Sequence, residues 1–377
     1  MKKCVCISCF DYYSTRMKMI LKYFERKDYQ IKYLYADFDH FEKASNMNKY
    51  KYGVKVKTPE YKKNLSPQRL YSHYVFSKRT IKFIRQYEPD IIYCMIPPNS
   101  LVKELAKFKL VHKNVKLVFD CYDMWPESFP YHKLNSLLNI PFSVWGNLRK
   151  KYISDADLMI CVSEQGKEML LPEVHGKPIR VIKPTLSVDD LPVYRSNVTE
   201  LVFCYLGMVN HITDMDLGIS ILGEIAKSRK TTLHIIGEGQ NLEEFVKKLQ
   251  MVNVEVVCHG CVFDMDKKNE IFSKCNMGLN IPREEIGSTM SLKAVEYMRA
   301  GLPFLNSAMG DIRNIVEEDE IGFNINKNNS NASLGDKILD IHSEDLIRMH
   351  ENCVKSYKER FIDQDYDSIF EEILEMG

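Results

Sequence analysis

A strand–helix alternation that runs to a break and then starts again constrains this chain most. Short apolar runs over Cys4–Ser8, Gln30–Tyr35, Ile91–Met95, Lys116–Phe119, Leu158–Val162 and Ile179–Ile182 read as strands. Amphipathic stretches such as Thr15–Arg26, Gln68–Tyr87 and Ser100–Phe108 lie between them. Parallel strands need long crossovers, and helices supply them, so the alternation predicts parallel sheets with helices on both faces. The segment Lys183–Val193, with Pro184, Asp189, Asp190 and Pro192, interrupts the pattern. It resumes with strands over Glu200–Leu206, Thr232–Ile236, Val254–Cys258, Met277–Ile281 and Pro303–Asn306. Helices are expected over Asp216–Ser228, Leu242–Met251, Lys267–Lys274 and Ser291–Ala300. The spacing predicts an α/β chain of two doubly wound, Rossmann-like domains, over 1–185 and 190–355, meeting at a linker with a cleft between them. In such sheets ligands bind beyond the carboxyl ends of the strands.

Composition narrows the class. With 377 residues, 45% hydrophobic and 27% charged, the chain is neither disordered nor fibrous. No apolar run approaches the roughly 20 residues that span a bilayer. The first apolar stretch is too short for a signal peptide and fits a buried strand. Eleven cysteines without a secretory segment predict reduced thiols and a cytoplasmic protein. The net charge of +1 conceals an asymmetry. Residues 1–185 carry 33 Lys+Arg against 18 Asp+Glu, a balance of +15, and residues 186–377 carry 19 against 33, or −14. The basic half predicts a phosphorylated ligand or peripheral contact with an anionic membrane surface. Lys49, Lys51, Lys55, Lys57, Lys62, Lys63 and Arg69 interleave with Tyr50, Tyr52, Tyr61 and Tyr71, a pattern equally suited to a solvated face over the core edge. No nucleic-acid reader motif accompanies these residues, and nucleic acid is not an expected partner.

The segment from Arg283 to Pro303 carries the most chemistry. Ser291 is placed to cap a helix that Gly301-Leu-Pro303 ends. The free N–H groups and positive dipole end of such a helix suit a diphosphate. Lys293 and Glu296 follow within two turns, and the Glu296 carboxylate suits the paired hydroxyls of a ribose. Metal readings are weak. Asp-x-Asp occurs six times in an acid-rich chain, and no His-x-x-x-His spacing appears. Cys6/Cys9 and Cys258/Cys261 leave strands, where positions three apart face opposite ways, so all four read as buried cysteines.

Lys293-x-x-Glu296-Tyr-Met-x-Ala-Gly301-x-Pro303 resembles the donor-binding helix of GT-B glycosyltransferases, in particular the retaining family four with its bacterial capsule, O-antigen and exopolysaccharide transferases. The surrounding pieces follow that family's order: Tyr205-Leu-Gly207, Ile235-Ile-Gly-Glu-Gly239, and Val256 to Gly260. Asp120-Cys-Tyr-Asp123-Met-Trp125-Pro-Glu127-Ser resembles an Asp-Leu-Trp-Pro-Glu stretch of capsule and O-antigen transferases. Residues 360–377 resemble the terminal helix that crosses back to the first domain. The resemblance implies that Glu296 binds the donor ribose, that Ser288, Thr289 and Met290 hold the diphosphate and sugar, and that Gly207 faces the diphosphate. Ser288 stands where many relatives carry a first glutamate. The Arg and Lys that usually follow the Tyr-x-Gly strand are absent, leaving Arg283, Lys293 and Lys183 as replacements. The Gly-rich loop after the first strand is replaced by Asp11-Tyr-Tyr-Ser-Thr-Arg16.

The resemblance implies transfer of a sugar from a nucleotide-diphosphate donor to an oligosaccharide or polyprenyl-diphosphate-linked acceptor, with retention and without a metal or other cofactor. The chain would then work in the cytoplasm, docked on the inner face of the membrane. Stabilising the leaving diphosphate is the main catalytic demand. Asp123 is the candidate base or acceptor contact, with Glu127 second. His211 is placed to reach the diphosphate or acceptor, Arg16 is either a ligand of an acceptor phosphate or a surface arginine on a helix face, and Trp125 is either an acceptor platform or core. Capping of a strand–loop is the plain alternative for Asp120 and Asp123. Two other activities share this architecture, a nucleotide-sugar 2-epimerase and a non-catalytic partner subunit.

Overall fold

The computed structural model describes residues 1–10, 14–40, 42–64, 66–127, 136–186, 194–283, 290–325 and 331–375. The chain divides into two compact units, residues 1–185 with 365–377, and residues 186–364.

The first unit is built on β1 (Lys3–Ser8), α1 (Ser14–Arg26) and β2 (Gln30–Ala36). A small antiparallel ribbon follows, β3 (Phe38–Asp39) with β4 (Ala44–Ser45), and then β5 (Gly53–Val56). The long α2 (Pro67–Tyr87) leads through β6 (Ile91–Ile96), α3 (Asn99–Val111) and β7 (Lys116–Cys121). Next come α4 (Ser136–Lys150), β8 (Leu158–Cys161), α5 (Glu164–Leu170) and β9 (Ile179–Val181). The seven-stranded sheet has the order β5-β2-β1-β6-β7-β8-β9, with every pairing parallel. All six residues of β6 are buried, as expected of a parallel strand covered on both faces.

The second unit runs β10 (Leu201–Leu206), α6 (Met215–Ala226), β11 (Thr231–Ile236), α7 (Leu242–Met251) and β12 (Val254–Cys258). It continues with α8 (Met265–Phe272), β13 (Met277–Asn280), α9 (Leu292–Arg299), β14 (Phe304–Asn306), α10 (Asp311–Glu318) and β15 (Gly322–Asn324). The helices α11 (Asn331–Leu339) and α12 (Ser343–Tyr357) complete it. Its sheet is also parallel, in the order β12-β11-β10-β13-β14-β15. The last helix, α13 (Tyr366–Glu375), belongs to the first unit. There Phe370 and Ile373 enter the core, and Glu372 takes Arg180 through two bonds of 2.7 and 2.8 Å. Arg360, six residues earlier, stays with the second unit by pairing with Asp319 and Glu318.

Two features depart from the sequence expectations, and a third decides between two of them. The edge strand β5 lies inside the basic, tyrosine-rich stretch, where it is too short and polar to stand out. The rings around it close the core edge and offer no open platform: Tyr50 packs 5.5 and 5.0 Å from Tyr33 and Tyr35, and Tyr61 is buried. Cys6 and Cys9 are buried as expected, but Cys258 and Cys261 are exposed, because β12 is the sheet's edge strand and ends in solvent.

Candidate functional site

Each sheet reverses its winding at one point, between β1 and β6 in the first unit and between β10 and β13 in the second. Such a switch point opens a crevice at the strands' carboxyl ends.

In the second unit, β10 ends at Gly207, whose amide donates to the Ile236 carbonyl at 2.8 Å and whose φ is +116°. A Cβ there would lie 2.7 Å from Cε of Lys293. Only glycine therefore admits both the backbone conformation and the lysine. Lys293 Nζ donates to Tyr205 Oη at 2.8 Å and stands 4.4 Å above that ring. The helix that carries it, α9, starts at the N-cap Ser291, whose hydroxyl accepts from the Ala294 amide at 3.5 Å. That hydroxyl donates to Asn280 Oδ1 at 2.8 Å. Asn280 in turn donates to Asn306 at 2.8 Å, Asn306 to Asn324 at 2.9 Å, and Asn324 to the Arg313 carbonyl at 2.8 Å. A polar row across β13, β14 and β15 thus fixes the start of α9. Tyr297 fixes its body, since Tyr297 Oη accepts from the Leu206 amide at 2.9 Å. Glu296 pairs with the buried Lys268 at 2.5 Å.

The loop after Gly207 lies against the segment after β13. Arg283 N–H donates to the Ile212 carbonyl at 2.8 Å, and Asp214 N–H to the Ile281 carbonyl at 2.9 Å. The backbone therefore brings the exposed His211 turn and Arg283 alongside each other. Met290 is buried. Ser288 and Thr289 lie outside the described residues.

In the first unit the expected roles change. Arg16 is not a surface phosphate ligand. It lies in α1, buried, 3.1 Å from the buried Asp120, and it also donates to the Ile182 carbonyl. Burial opposes the Arg16 charge, but the Asp120 carboxylate together with Tyr93, Tyr122 and Tyr366 outweighs that and raises its pKa. Asp120 does not cap a loop; it lies within β7 and accepts from Tyr93 Oη at 2.5 Å. Glu127 does not stand free as a base. Arg149 clasps it through bonds of 2.9 and 3.1 Å while also binding Glu173 at 2.9 and 3.1 Å. Burial pushes the Glu127 carboxyl up, but the Arg149 charge and hydrogen bonds prevail and hold it below the usual range. Trp125 is buried, with Arg69 5.0 Å over its ring and Trp145 6.2 Å away, so it offers no exposed platform. Asp123 is half-buried just past β7, its amide 3.4 Å from the Ile96 carbonyl at the end of β6.

Comparison with known proteins decides the family. Residues 14–189 match the family described as Glycosyltransferase Family 4, and residues 200–344 match Glycosyl transferases group 1. The chain is a member of these glycosyltransferases. This glycosyltransferase is 22% identical over 236 residues to the O-antigen biosynthesis glycosyltransferase WbnH of Escherichia coli. That match takes in 60% of the chain and spans 62% of the relative's length. Among solved structures it resembles sucrose-phosphate synthase from Thermosynechococcus elongatus, at a TM-score of 0.73 and 13% identity over 99% of this chain and 98% of the other. It also resembles Anabaena HepE in complex with UDP, at a TM-score of 0.65 and 14% identity over 99% of each chain. These likenesses, with two parallel sheets flanked by helices, make the fold of this glycosyltransferase GT-B.

Sequence reasoning missed the asparagine row and Lys268. The row had a signal: Gly-Leu-Asn280, Phe-Leu-Asn306 and Gly-Phe-Asn324 end successive strands in one register. Lys268 carried no such mark.

Proposed function

We propose that this glycosyltransferase moves a sugar from a nucleotide-diphosphate donor to a glycan acceptor in bacterial surface polysaccharide synthesis, with retention of configuration. The observation that carries the reading is the meeting of Lys293, Gly207 and the N-cap of α9 at the second switch point. Negative charge grows on the leaving diphosphate in the transition state. Lys293 and the free amides at the start of α9 oppose it, in place of the Arg/Lys pair that the chain lacks. In this reading they supply the positive charge, and transfer needs no metal, so chelation leaves the rate unchanged. Glu296, held by Lys268, receives the ribose hydroxyls, and Arg283 and His211 flank the diphosphate. HepE was solved with UDP, and WbnH is an O-antigen transferase, which supports a nucleotide donor and a surface glycan.

Asp123, past β7 and beside the end of β6, serves as acceptor contact or base. The acceptor is lipid-linked. Tyr71, Tyr74, Lys78, Lys82 and Arg85 follow one another at helical spacing on the exposed face of α2, with Tyr71 60% exposed and, on the neighbouring α3, Val111 77% exposed. Basic residues near an anionic leaflet contribute about 1 kcal/mol each, enough together for docking. Flotation with liposomes that contain anionic lipid tests this face, and binding indifferent to anionic lipid refutes it.

Thermal shift with UDP, GDP and TDP, on wild type, Lys293→Ala and Glu296→Ala, tests the donor site. A nucleotide at about 100 times its dissociation constant stabilises by roughly 2.7 kcal/mol. The expected result is a shift from one nucleotide that both variants reduce. No shift from any of them overturns the reading.

A further inference from the structure

The seam between α8 and α9 is part apolar and part polar. Phe272 and Tyr297 supply the apolar part, with ring centres 5.9 Å apart. Beside them two polar ties cross from helix to helix. Lys268 Nζ donates to Glu296 Oε2 at 2.5 Å, and Arg299 Nη2 donates to Asn269 Oδ1 at 2.7 Å. Lys268 and Asn269 are adjacent on α8 and both buried, while Glu296 and Arg299 stand one turn apart on α9. Burying an ion pair costs desolvation, and apolar side chains of similar size often serve stability as well or better. Packing alone therefore gives no reason for an ammonium at position 268.

The two ties differ in what they reach. Arg299 is wholly buried, and its tie ends inside the seam. Glu296 keeps 19% of its side chain exposed, so the Lys268 tie ends on a carboxylate that a ligand can touch. Glu296 also follows Lys293 by one turn of α9, and Lys293 is the lysine that rests against Gly207 and Tyr205 at the switch point. The same helix thus carries the cation and, next along it, the half-buried carboxylate.

A carboxylate only accepts hydrogen bonds, through two oxygens. Lys268 takes up part of Oε2, and both oxygens keep room for the two donors of a vicinal diol. A glutamate without that lysine has three rotatable bonds and would turn to follow whichever hydroxyl a ligand offers. Held by the ion pair, it does not follow. If one of the two hydroxyls is missing, the oxygen that faces the gap loses water and gains nothing. Sites built to bond a hydroxyl reject the analogue that lacks it for this reason. We infer that Lys268 is a positioning residue that fixes the Glu296 carboxylate so that both ribose hydroxyls are required, and that the donor is a ribonucleoside diphosphate sugar and not a 2′-deoxyribonucleoside one. The inference rests on the reading that Glu296 meets the donor's ribose.

Calorimetric titration of the full chain with UDP and GDP, each beside its 2′-deoxy analogue, and with TDP tests this. The expected result is one ribonucleotide that binds at least about tenfold tighter than its analogue, the value of one hydrogen bond to a charged group, with TDP no tighter than that analogue. Lys268→Met should weaken the ribonucleotide and bring the two affinities within about threefold, because the freed glutamate adapts to either sugar. Arg299→Met cuts the other tie between the same helices and should leave the wild-type ratio unchanged. Equal affinity of the wild type for a ribonucleotide and its analogue, or tightest binding by TDP, overturns the inference and leaves the donor site standing. A ratio that survives Lys268→Met, or one that Arg299→Met lowers as far, also overturns it. So does a Lys268→Met chain that circular dichroism shows to be unfolded, since the lysine then serves the fold. No binding by any of these nucleotides overturns the donor reading itself.

Discussion

The two switch points have the same topology and opposite polar states. In the second unit, Lys293 rests on Tyr205, Ser291 on Asn280 and Glu296 on Lys268. In the first, Arg69, His73, Asn99 and Trp145 keep polar atoms without a hydrogen-bond partner among the described residues. Under the proposed function the second site meets a diphosphate, and groups preorganised on internal partners still respond to its charge. The open atoms of the first site instead carry a desolvation cost that the fold tolerates there. Beside these atoms the first unit still keeps closed pairs, Arg16 with Asp120 and Arg149 with two glutamates, so openness there is local.

Breaking the closed pair has the largest expected effect. Arg16→Met leaves Asp120 buried without its cation and should cost about 3–5 kcal/mol in denaturant unfolding, largely restored when Asp120→Asn is added. Unchanged stability would mean that Arg16 serves a ligand instead. Next, Lys293→Ala should lower the transfer rate about 10²-fold with little loss of stability, the usual scale for one preorganised charge donor. A rate within threefold of wild type would remove the electrostatic half of the comparison.

Element order and spacing were legible because they rest on local periodicity. Thus Leu242–Met251 and Val254–Cys258 match the expected bounds, and Ser291 caps its helix where expected. Glu127 was misread because its partner Arg149 lies 22 residues away on a helix that the sequence reading did not identify. Trp125 was left open because an aromatic beside a strand end has no local signal for burial. The asparagine row became apparent only once β13, β14 and β15 lay in register.

Cutting that row has a smaller effect. Asn306→Ala strips partners from Asn280 and Asn324 and should cost about 2 kcal/mol, read by thermal unfolding, with weaker nucleotide binding as α9 loses its anchor. The smallest effect is a pH slope. Burial and Arg69 hold the His73 pKa well below 6.5, and His40 is pushed down to about 3 by burial and Arg69. The unfolded chain therefore binds protons that the native state refuses. Stability is fully present above pH 6.5 and falls as pH drops below it, by up to about 1.4 kcal/mol per unit for each histidine. His73→Leu should remove one histidine's share, seen as a flatter stability profile between pH 6.5 and 4.5. An unchanged slope would mean that His73 is protonated in the native state.

By itself the sequence determined the two parallel α/β units, the break between them and the capped start of α9, because periodicity, turn residues and capping act over a few positions. Only the tertiary structure decided which polar groups are spent and which stay open. That outcome depends on sheet order and crossovers, which bring Phe10, Arg69, His73, Asn99, Trp125 and Trp145 to one point. Burial there makes each unpaired atom costly, and no local pattern in the chain encodes which neighbour will meet it.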